Sequence, residues 1–378
     1  MDQSVNNDSA SPRRREACIS QCGLNRSDVT ASTLASSLSV IERPLPLKSE
    51  SRVRTPLLAV VVIGRNEGER LRISLSSVVG KTALTVYVDS GSMDDSLLLA
   101  RQLNAEVVEL DASVPFTAAR ARNAGFKRAM TLLPQTEFVQ FVDGDCELAM
   151  GWLHTAKDFL ESSPSVAVAF GQQRERNCER SIYNRLCDME WAVAPGQVKA
   201  CGGCAMMRAD AFVQVGGFRE DLIAGEEPEM CVRLRARGWQ IHSLPQPMAT
   251  HDAAMTHFSQ WWRRTVRSGY AFAQGAYLHG APPERHWVWE SRRAWIWGLG
   301  LPALSLGLAA QFGPWGLAVF GAYPLQMLRQ FQRHSGTVAE RALKAVFQTV
   351  GRFPEMIGQF QFWRDRLLRM RSRLIEYK

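Results

Sequence analysis

Leu57-Leu58-Ala59-Val60-Val61-Val62-Ile63 is an unbroken aliphatic run, and Gly64-Arg65-Asn66-Glu67-Gly68 ends it abruptly. A continuous run rich in β-branched residues is what a strand buried on both faces of a sheet requires. After the turn-forming cluster, Leu71, Leu75, Val78 and Val79 recur at helical spacing. The alternation repeats downstream. Residues 84–88 predict a second strand stopping at Asp89-Ser90-Gly91-Ser92, and residues 95–104 a helix. A short strand over 106–110, a helix over 118–130 and a strand over 138–142 that stops at Asp143 follow. This order predicts an α/β fold with a Rossmann-like, doubly wound, mostly parallel sheet flanked by helices. Such sheets bind ligands at the carboxyl ends of their strands. The polar clusters after Ile63, Val88 and Val142 should therefore share one edge.

Outward from this core the composition bounds the rest. The chain has 378 residues, room for one large domain or two ordinary ones, and a hydrophobic fraction of 46%, too ordinary for a multi-span transporter. The formal charge of +8 asks for an anionic partner. The basic residues carry no interleaved aromatic motif on the early strands, so no nucleic acid is expected. Residues 1–55 are polar and Ser-rich, without an apolar run after Arg13-Arg14-Arg15, and read as a disordered lead-in with no signal peptide. Cys201-Gly202-Gly203-Cys204 has a redox-like spacing, but a zinc site needs a second such pair and the sequence has none. Unpaired thiols in a reducing compartment are the expectation.

Residues 294–328 contain no charged side chain, a stretch longer than the roughly 20 residues of one membrane span, and Gly313-Pro314 divides it. Arg285, Arg292 and Arg293 precede it; Arg329 and Arg333 follow. Basic flanks on both sides place both ends on the cytoplasmic face, which an inserted or re-entrant hairpin over 286–335 satisfies. Trp287, Trp289, Trp295 and Trp297 stand where an interfacial aromatic belt would be. A buried helical pair within a soluble domain is the other reading. In the tail, 336–378, Met356, Phe360, Trp363, Leu367, Met370 and Leu374 form one helical face, accompanied by Arg364, Arg366, Arg369, Arg371 and Arg373. Such a basic amphipathic helix either lies among lipid headgroups or packs on its own domain.

Asp143-Gly144-Asp145 is the sharpest chemical signal. Two carboxylates flanking a glycine at a strand end can turn toward one ligand, and oxygen donors in an open site suit Mn²⁺ or Mg²⁺. Glu226 and Glu227 open a helix in Gly225-Glu226-Glu227-Pro228-Glu229 and are candidate proton acceptors, while acids in a first turn also simply favour the helix dipole. That explains Glu229 sufficiently. Arg120, Arg122 and Asn123 lie at the start of the 118–130 helix, as a diphosphate cradle would, or as a solvated basic face. His251 follows a strand-like stretch over 240–244; a lone histidine serves structure as readily as ligation. Gln260-Trp261-Trp262-Arg263-Arg264 reads as a helix with an aromatic core face and a solvated basic face.

Taken in order, residues 63–68, 88–92, 121–125, 142–145, 216–218 and 225–227 resemble the motif series of glycosyltransferase family 2, a likeness covering about residues 56–255. The resemblance implies a GT-A catalytic domain over 56–285, a nucleotide-sugar donor, a divalent cation at the Asp-x-Asp motif, and inversion at the anomeric carbon. Position by position, it implies that Asp89 meets the nucleotide base and that Gly64, Arg65, Asn66 and Glu67 line the same pocket. Arg122 would approach the diphosphate, Asp143 the ribose or sugar, and Asp145 the metal. It implies Glu227 as general base and His251 as a further metal ligand. Ser90 departs from the family pattern, where many members carry a second aspartate. Gln260–Arg264 only loosely matches the motif of processive synthases, so single addition is expected. With a membrane segment beside it, the acceptor implied by analogy is a saccharide or lipid-linked saccharide of extracellular polysaccharide assembly, at the cytoplasmic face of the inner membrane. A nucleotidyltransferase of similar sheet, or a non-catalytic membrane scaffold, are the rival readings.

Overall fold

The computed structural model describes residues 57–370; the lead-in over 1–55, and Arg371, Arg373 and Leu374 of the tail, lie outside the described residues. The aliphatic run becomes β1 (Leu57–Gly64), followed by α1 (Glu69–Val78), β2 (Leu84–Asp89), α2 (Ser96–Gln102), β3 (Glu106–Glu109), α3 (Ala118–Leu132) and β4 (Thr136–Asp143). These strands pair in parallel in the order β3-β2-β1-β4, with Gly64 opposite Asp89 and Ile63 opposite Asp143. The register brings all three polar clusters to one edge, as the strand endings predict. Val60, Val61 and Val62 are fully buried, because α3 covers one face of the sheet and α1 the other.

Beyond β4 the sheet becomes mixed. The chain runs through β5 (Cys146–Leu148), α4 (Trp152–Ser162), β6 (Val166–Glu175), α5 (Ile182–Trp191), β7 (Gly196–Val198), β8 (Ala205–Arg208), α6 (Ala209–Gln214), α7 (Glu226–Ala236) and β9 (Gln240–His251). β8 pairs antiparallel with β4 and β6; β9 pairs parallel with β6 and antiparallel with β5 and β7. The strand-like stretch over 240–244 extends to His251. Pro245 and Pro247 would normally end a sheet strand, but register shifts on β6 around Gln172 absorb them.

The remaining described chain is helical: α8 (Phe258–His279), α9 (Val288–Trp295), a π-turn over Ile296–Gly300, α10 (Leu301–Phe312), a 3₁₀ stretch over Gly313–Gly321, α11 (Ala322–Arg333), α12 (Val338–Val350) and α13 (Arg352–Leu367). The uncharged region folds back on itself. The Ser305 hydroxyl donates to the Gly316 carbonyl at 3.0 Å, and Tyr323 donates to the carbonyl of Trp297 at 2.5 Å. Of the most apolar part of Val288–Arg333, only 11% is buried. Phe312 and Trp315 at the bend are 66% and 86% exposed.

α13 packs on α8 through Phe362, whose ring meets Tyr270 edge-on at 5.4 Å. Phe360 and Leu367 are exposed, whereas Trp363 meets Tyr277 of α8 edge-on at 6.1 Å. The helix thus packs on its own domain, one of the two sequence readings, while some of its apolar side chains stay exposed. Trp287 departs from the aromatic-belt expectation. Its ring lies where a side chain on Gly225 or Gly275 would sit and stacks on His286 at 4.3 Å.

Candidate active site

The edge where β1, β2 and β4 end is organised by their own loops. Ser90 donates its amide to the Gly64 carbonyl at 3.0 Å, and Gly144 donates to Ile63 at 2.7 Å. Asn66, in left-handed backbone (φ 55°), receives Ser92 as an acceptor for its amide at 2.9 Å and accepts the Met93 amide at 2.8 Å. Asp89 is 2% exposed. It accepts the Tyr87 hydroxyl at 3.0 Å and the amides of Gly91 and Ser92 at 2.9 and 2.8 Å. Both its oxygens are engaged in folding the loop that the sequence places at the nucleotide pocket. Beside it, Phe116 covers Gly91 and takes the Arg65 guanidinium over its ring at 5.6 Å.

Arg122 projects from α3 and is also 2% exposed. It donates to Asp143 at 2.8 Å and meets Glu226 and Glu227 at 2.9 Å each. The guanidinium that the sequence expects to approach a diphosphate here clamps three carboxylates. Phe218 lies 5.6 Å below the guanidinium. Asn123 fixes that loop, donating to the Phe218 carbonyl at 2.8 Å and accepting its amide at 3.0 Å. Gly203 roofs the clamp: a Cβ there would strike Arg122 and come within 2.6 Å of Asp143. A side chain there would have to displace one of these charged groups.

Glu226 and Glu227 occupy the first turn of α7, after Gly225 in left-handed conformation (φ 80°). Burial and the neighbouring Glu226 push the Glu227 carboxyl up to about 7, with Arg122 opposing. A carboxyl titrating there is poised for proton transfer near neutral pH. Glu229, in contrast, is 1% exposed. It holds Arg233 at 2.6 Å and His279 at 2.9 Å, a structural role as the sequence reading has it.

Asp145 and His251 are brought together by sheet pairing. Cys146 on β5 lies opposite His251 on β9, and Nε2 of His251 is 3.3 Å from Asp145 Oδ1. Asp145, Cys146 and His251 offer ligand atoms within 4.8 Å of one another, as do Asp143, Cys146 and Cys204. The buried Nδ1 of His251 makes no hydrogen bond among the described residues and lies 3.7 Å from Glu175. The carboxylates of Asp143 and Asp145 are donors that suit Mn²⁺ or Mg²⁺, with the His251 imidazole and the Cys146 thiol beside them.

Glu175 was not signalled by any motif. It ends β6, is 5% exposed, and accepts the Ala253 amide at 3.0 Å, so it orders the turn after His251. Trp191 stands edge-on to His251 at 4.4 Å. A cavity of about 190 Å³ runs between Asp143, Gly203 and His251, with Trp191, Cys187 and Arg264 on its walls. Arg264 thus faces this cavity as well as pairing with Glu190 at 2.7 Å, where the sequence suggests only a solvated face. Cys201 and Cys204 do not pair with each other; Cys201 approaches Cys231, sulfur to sulfur, at 3.7 Å, and all are free thiols.

A sheet with parallel β3-β2-β1-β4, an Asp-Gly-Asp edge and flanking helices defines the GT-A architecture. Residues 59–216 match the sequence model of Glycosyl transferase family 2. The chain is 26% identical over 236 residues to a pre-mycofactocin glycosyltransferase of Mycobacterium tuberculosis, covering 59% of this chain and 48% of that protein. It is 23% identical over 214 residues to an N-acetylglucosaminyltransferase of Rhizobium leguminosarum bv. viciae, covering 50% and 49%. The chain thus spans about half the length of these relatives. Among solved structures, the mannosyltransferase PcManGT from Pyrobaculum calidifontis, in complex with GDP-Man and Mn²⁺, superposes with a TM-score of 0.54. That likeness, at 19% identity over 83% of this chain and 89% of that one, shows the shared fold.

Proposed function

We propose that this chain is a glycosyltransferase that moves a sugar from a nucleoside-diphosphate sugar to a hydroxyl acceptor. The observation that carries the reading is the convergence of Asp143, Asp145, His251 and Glu227 on one edge, with Arg122 joining Asp143 to Glu227 and Asp145 meeting His251. Asp145 and His251, with Asp143 beside them, would hold Mn²⁺ or Mg²⁺, which when bound neutralises charge on the departing nucleoside diphosphate. Glu227 takes the proton of the acceptor hydroxyl as it attacks. Arg122 keeps that carboxylate and Asp143 in fixed relation, and Gly202-Gly203 closes over them. Gly64, Arg65, Asn66 and Glu67 line the donor side, with Phe116 as a flat apolar surface beside them. Attack from the face opposite the leaving group would invert the anomeric carbon, and one sugar is added per acceptor.

The catalytic domain is assigned to 56–285, a membrane-inserted or re-entrant hairpin to 286–335, and amphipathic helices to 336–378. The exposed apolar hairpin and its basic flanks support a place at the cytoplasmic face of the inner membrane, with a lipid-linked saccharide of polysaccharide assembly as acceptor. The test is a panel of nucleotide sugars, scored for hydrolysis and transfer with and without Mn²⁺, in wild type and Asp145→Asn. Metal-dependent turnover that disappears in Asp145→Asn is expected. Full activity of that variant at saturating Mn²⁺ removes the metal assignment, and release of pyrophosphate in place of a nucleoside diphosphate would make the chain a nucleotidyltransferase.

A further inference from the structure

Trp287 carries two marks of a constrained position. Its backbone is left-handed (φ 53°), a conformation that is unfavourable for a bulky side chain and persists only where the surroundings hold it. Its neighbour His286, on which the indole stacks at 4.3 Å, keeps a buried Nε2 with no hydrogen bond among the described residues. Local costs that fall together on adjacent residues need compensation elsewhere in the fold.

The compensation lies on α7. The indole reaches Gly225, where a Cβ would come within 2.5 Å of Cη2 and 2.8 Å of Cζ3. The same ring also takes the place of a side chain on Gly275 of α8, and Phe272 of that helix meets it edge-on at 5.2 Å. The rest of the segment 279–287 runs along α7. His279 meets Glu229 in the first turn at 2.9 Å, and Glu284 meets Arg235 in the last turn at 2.6 Å. The His286 amide closes the segment by donating to the His279 carbonyl at 3.0 Å. One stretch of chain thus straps α7 at its entrance, its first turn and its last.

The entrance is where the chemistry sits. Gly225, left-handed at φ 80°, immediately precedes Glu226 and Glu227 and offers no side-chain cap. Arg122 holds both carboxylates from α3 at 2.9 Å. A glycine turn without support ranges widely in backbone conformation, and the carboxylates would move with it. The indole fills the space into which that turn could relax.

We infer that Trp287 is a positioning residue: packed between Gly225 and Gly275, it fixes the entrance of α7 and through it the place of the Glu227 carboxylate. This rests on the glycosyltransferase reading and concerns how its base is held. Misplacing a reacting group by about 1 Å can cost on the order of 10²-fold in rate. A side chain that never touches substrate can therefore control turnover.

The test is a double-mutant cycle on the full chain, reading release of nucleoside diphosphate from the nucleotide sugars that wild type turns over with Mn²⁺. Trp287→Ala should lower kcat by roughly 10–100-fold, with donor KM and Mn²⁺-dependent nucleoside-diphosphate binding unchanged. In a Glu227→Gln background the same substitution should change kcat by less than about threefold, because the group it displaces is no longer a base. Trp287→Phe, which keeps a ring against Gly225, should recover most of the loss. Equal fold losses in the two backgrounds would mark a general loss of structure and overturn the inference, as would wild-type kcat in Trp287→Ala. Should Trp287→Ala fail to fold, Gly275→Ala takes its place: its Cβ pushes on the indole from α8, and the same contrast between backgrounds is expected of it. Wild-type kcat in Glu227→Gln would remove the base and this inference with it. No release by wild type from any nucleotide sugar would sink the glycosyltransferase reading itself.

Discussion

Glu226 and Glu227 are adjacent, share one arginine, and yet are placed to do different things. Glu226 is the more buried, with its side chain 5% exposed against 13% for Glu227. The Glu227 carboxyl, raised to about 7, is protonated on the acid side of that value and able to accept a proton only above it. Turnover should therefore rise with pH through about 7 and level off. Glu227→Gln should lower turnover by roughly 10²–10⁴-fold and remove the acid limb, the usual scale for a general base. Glu226→Gln should act in the opposite sense on the profile. Removing its negative charge eases ionisation of Glu227 and leaves Arg122 freer to stabilise it, so the acid limb moves to lower pH. Steady-state rates across pH for both variants decide this; an unshifted limb in Glu226→Gln would mean the two carboxylates are not electrostatically coupled.

At the scale of elements, what the sequence disclosed follows from how each strand is buried. β1 reads as an unbroken apolar run and β2 and β4 as mostly apolar ones, so their ends, and with them Asp143 and Asp145, were legible. β9 was legible only to its first proline, because the register shifts that carry it on to His251 belong to its partner β6. The contact of His251 with Asp145 and Glu175 is made across strands and leaves no local pattern. Arg122 and Asp89 show a related limit: motif spacing places a charged residue at an edge without showing which protein groups it also engages. Close helix crossing is another non-local feature. On α8 and α13, a Cβ at Gly269 would meet the Glu355 backbone, and one at Gly358 would meet the backbone of Val266 and Tyr270. Gly358→Ala should push these helices apart and cost roughly 1–3 kcal/mol by overpacking. Gly307→Ala, where nothing lies within 4 Å, should be neutral or slightly stabilising through helix propensity. Thermal unfolding of the two variants side by side checks the contrast, and equal melting temperatures would refute the tight crossing.

At the scale of the whole described molecule, the question is what covers the apolar hairpin. Leu304, Leu306, Phe312, Trp315 and Leu325 are each more than half exposed. An apolar surface of this kind in water is a liability that soluble proteins keep small. Removing the chain from residue 294 onward would be a poor test of membrane insertion, because α13, which packs on α8, would go with it. Substitution at the bend avoids that difficulty, since Phe312 and Trp315 have little protein around them to lose. If the bend enters the bilayer, Phe312→Asp/Trp315→Asp places two charges in hydrocarbon, at a cost of roughly 2.5–3.5 kcal/mol each on the translocon-insertion scale. Vesicle affinity should then fall by about a hundredfold or more, while unfolding temperature and Mn²⁺-dependent nucleotide binding stay at wild-type values. The same variant should remain bound to anionic vesicles at low salt through the basic tail and release at high salt, because surface charge is screened over about 8 Å at physiological ionic strength and less above it. Sedimentation with neutral and anionic vesicles at two salt concentrations separates the two contributions. Wild-type binding of the variant to neutral vesicles would place the bend outside the bilayer and leave the tail as the attachment.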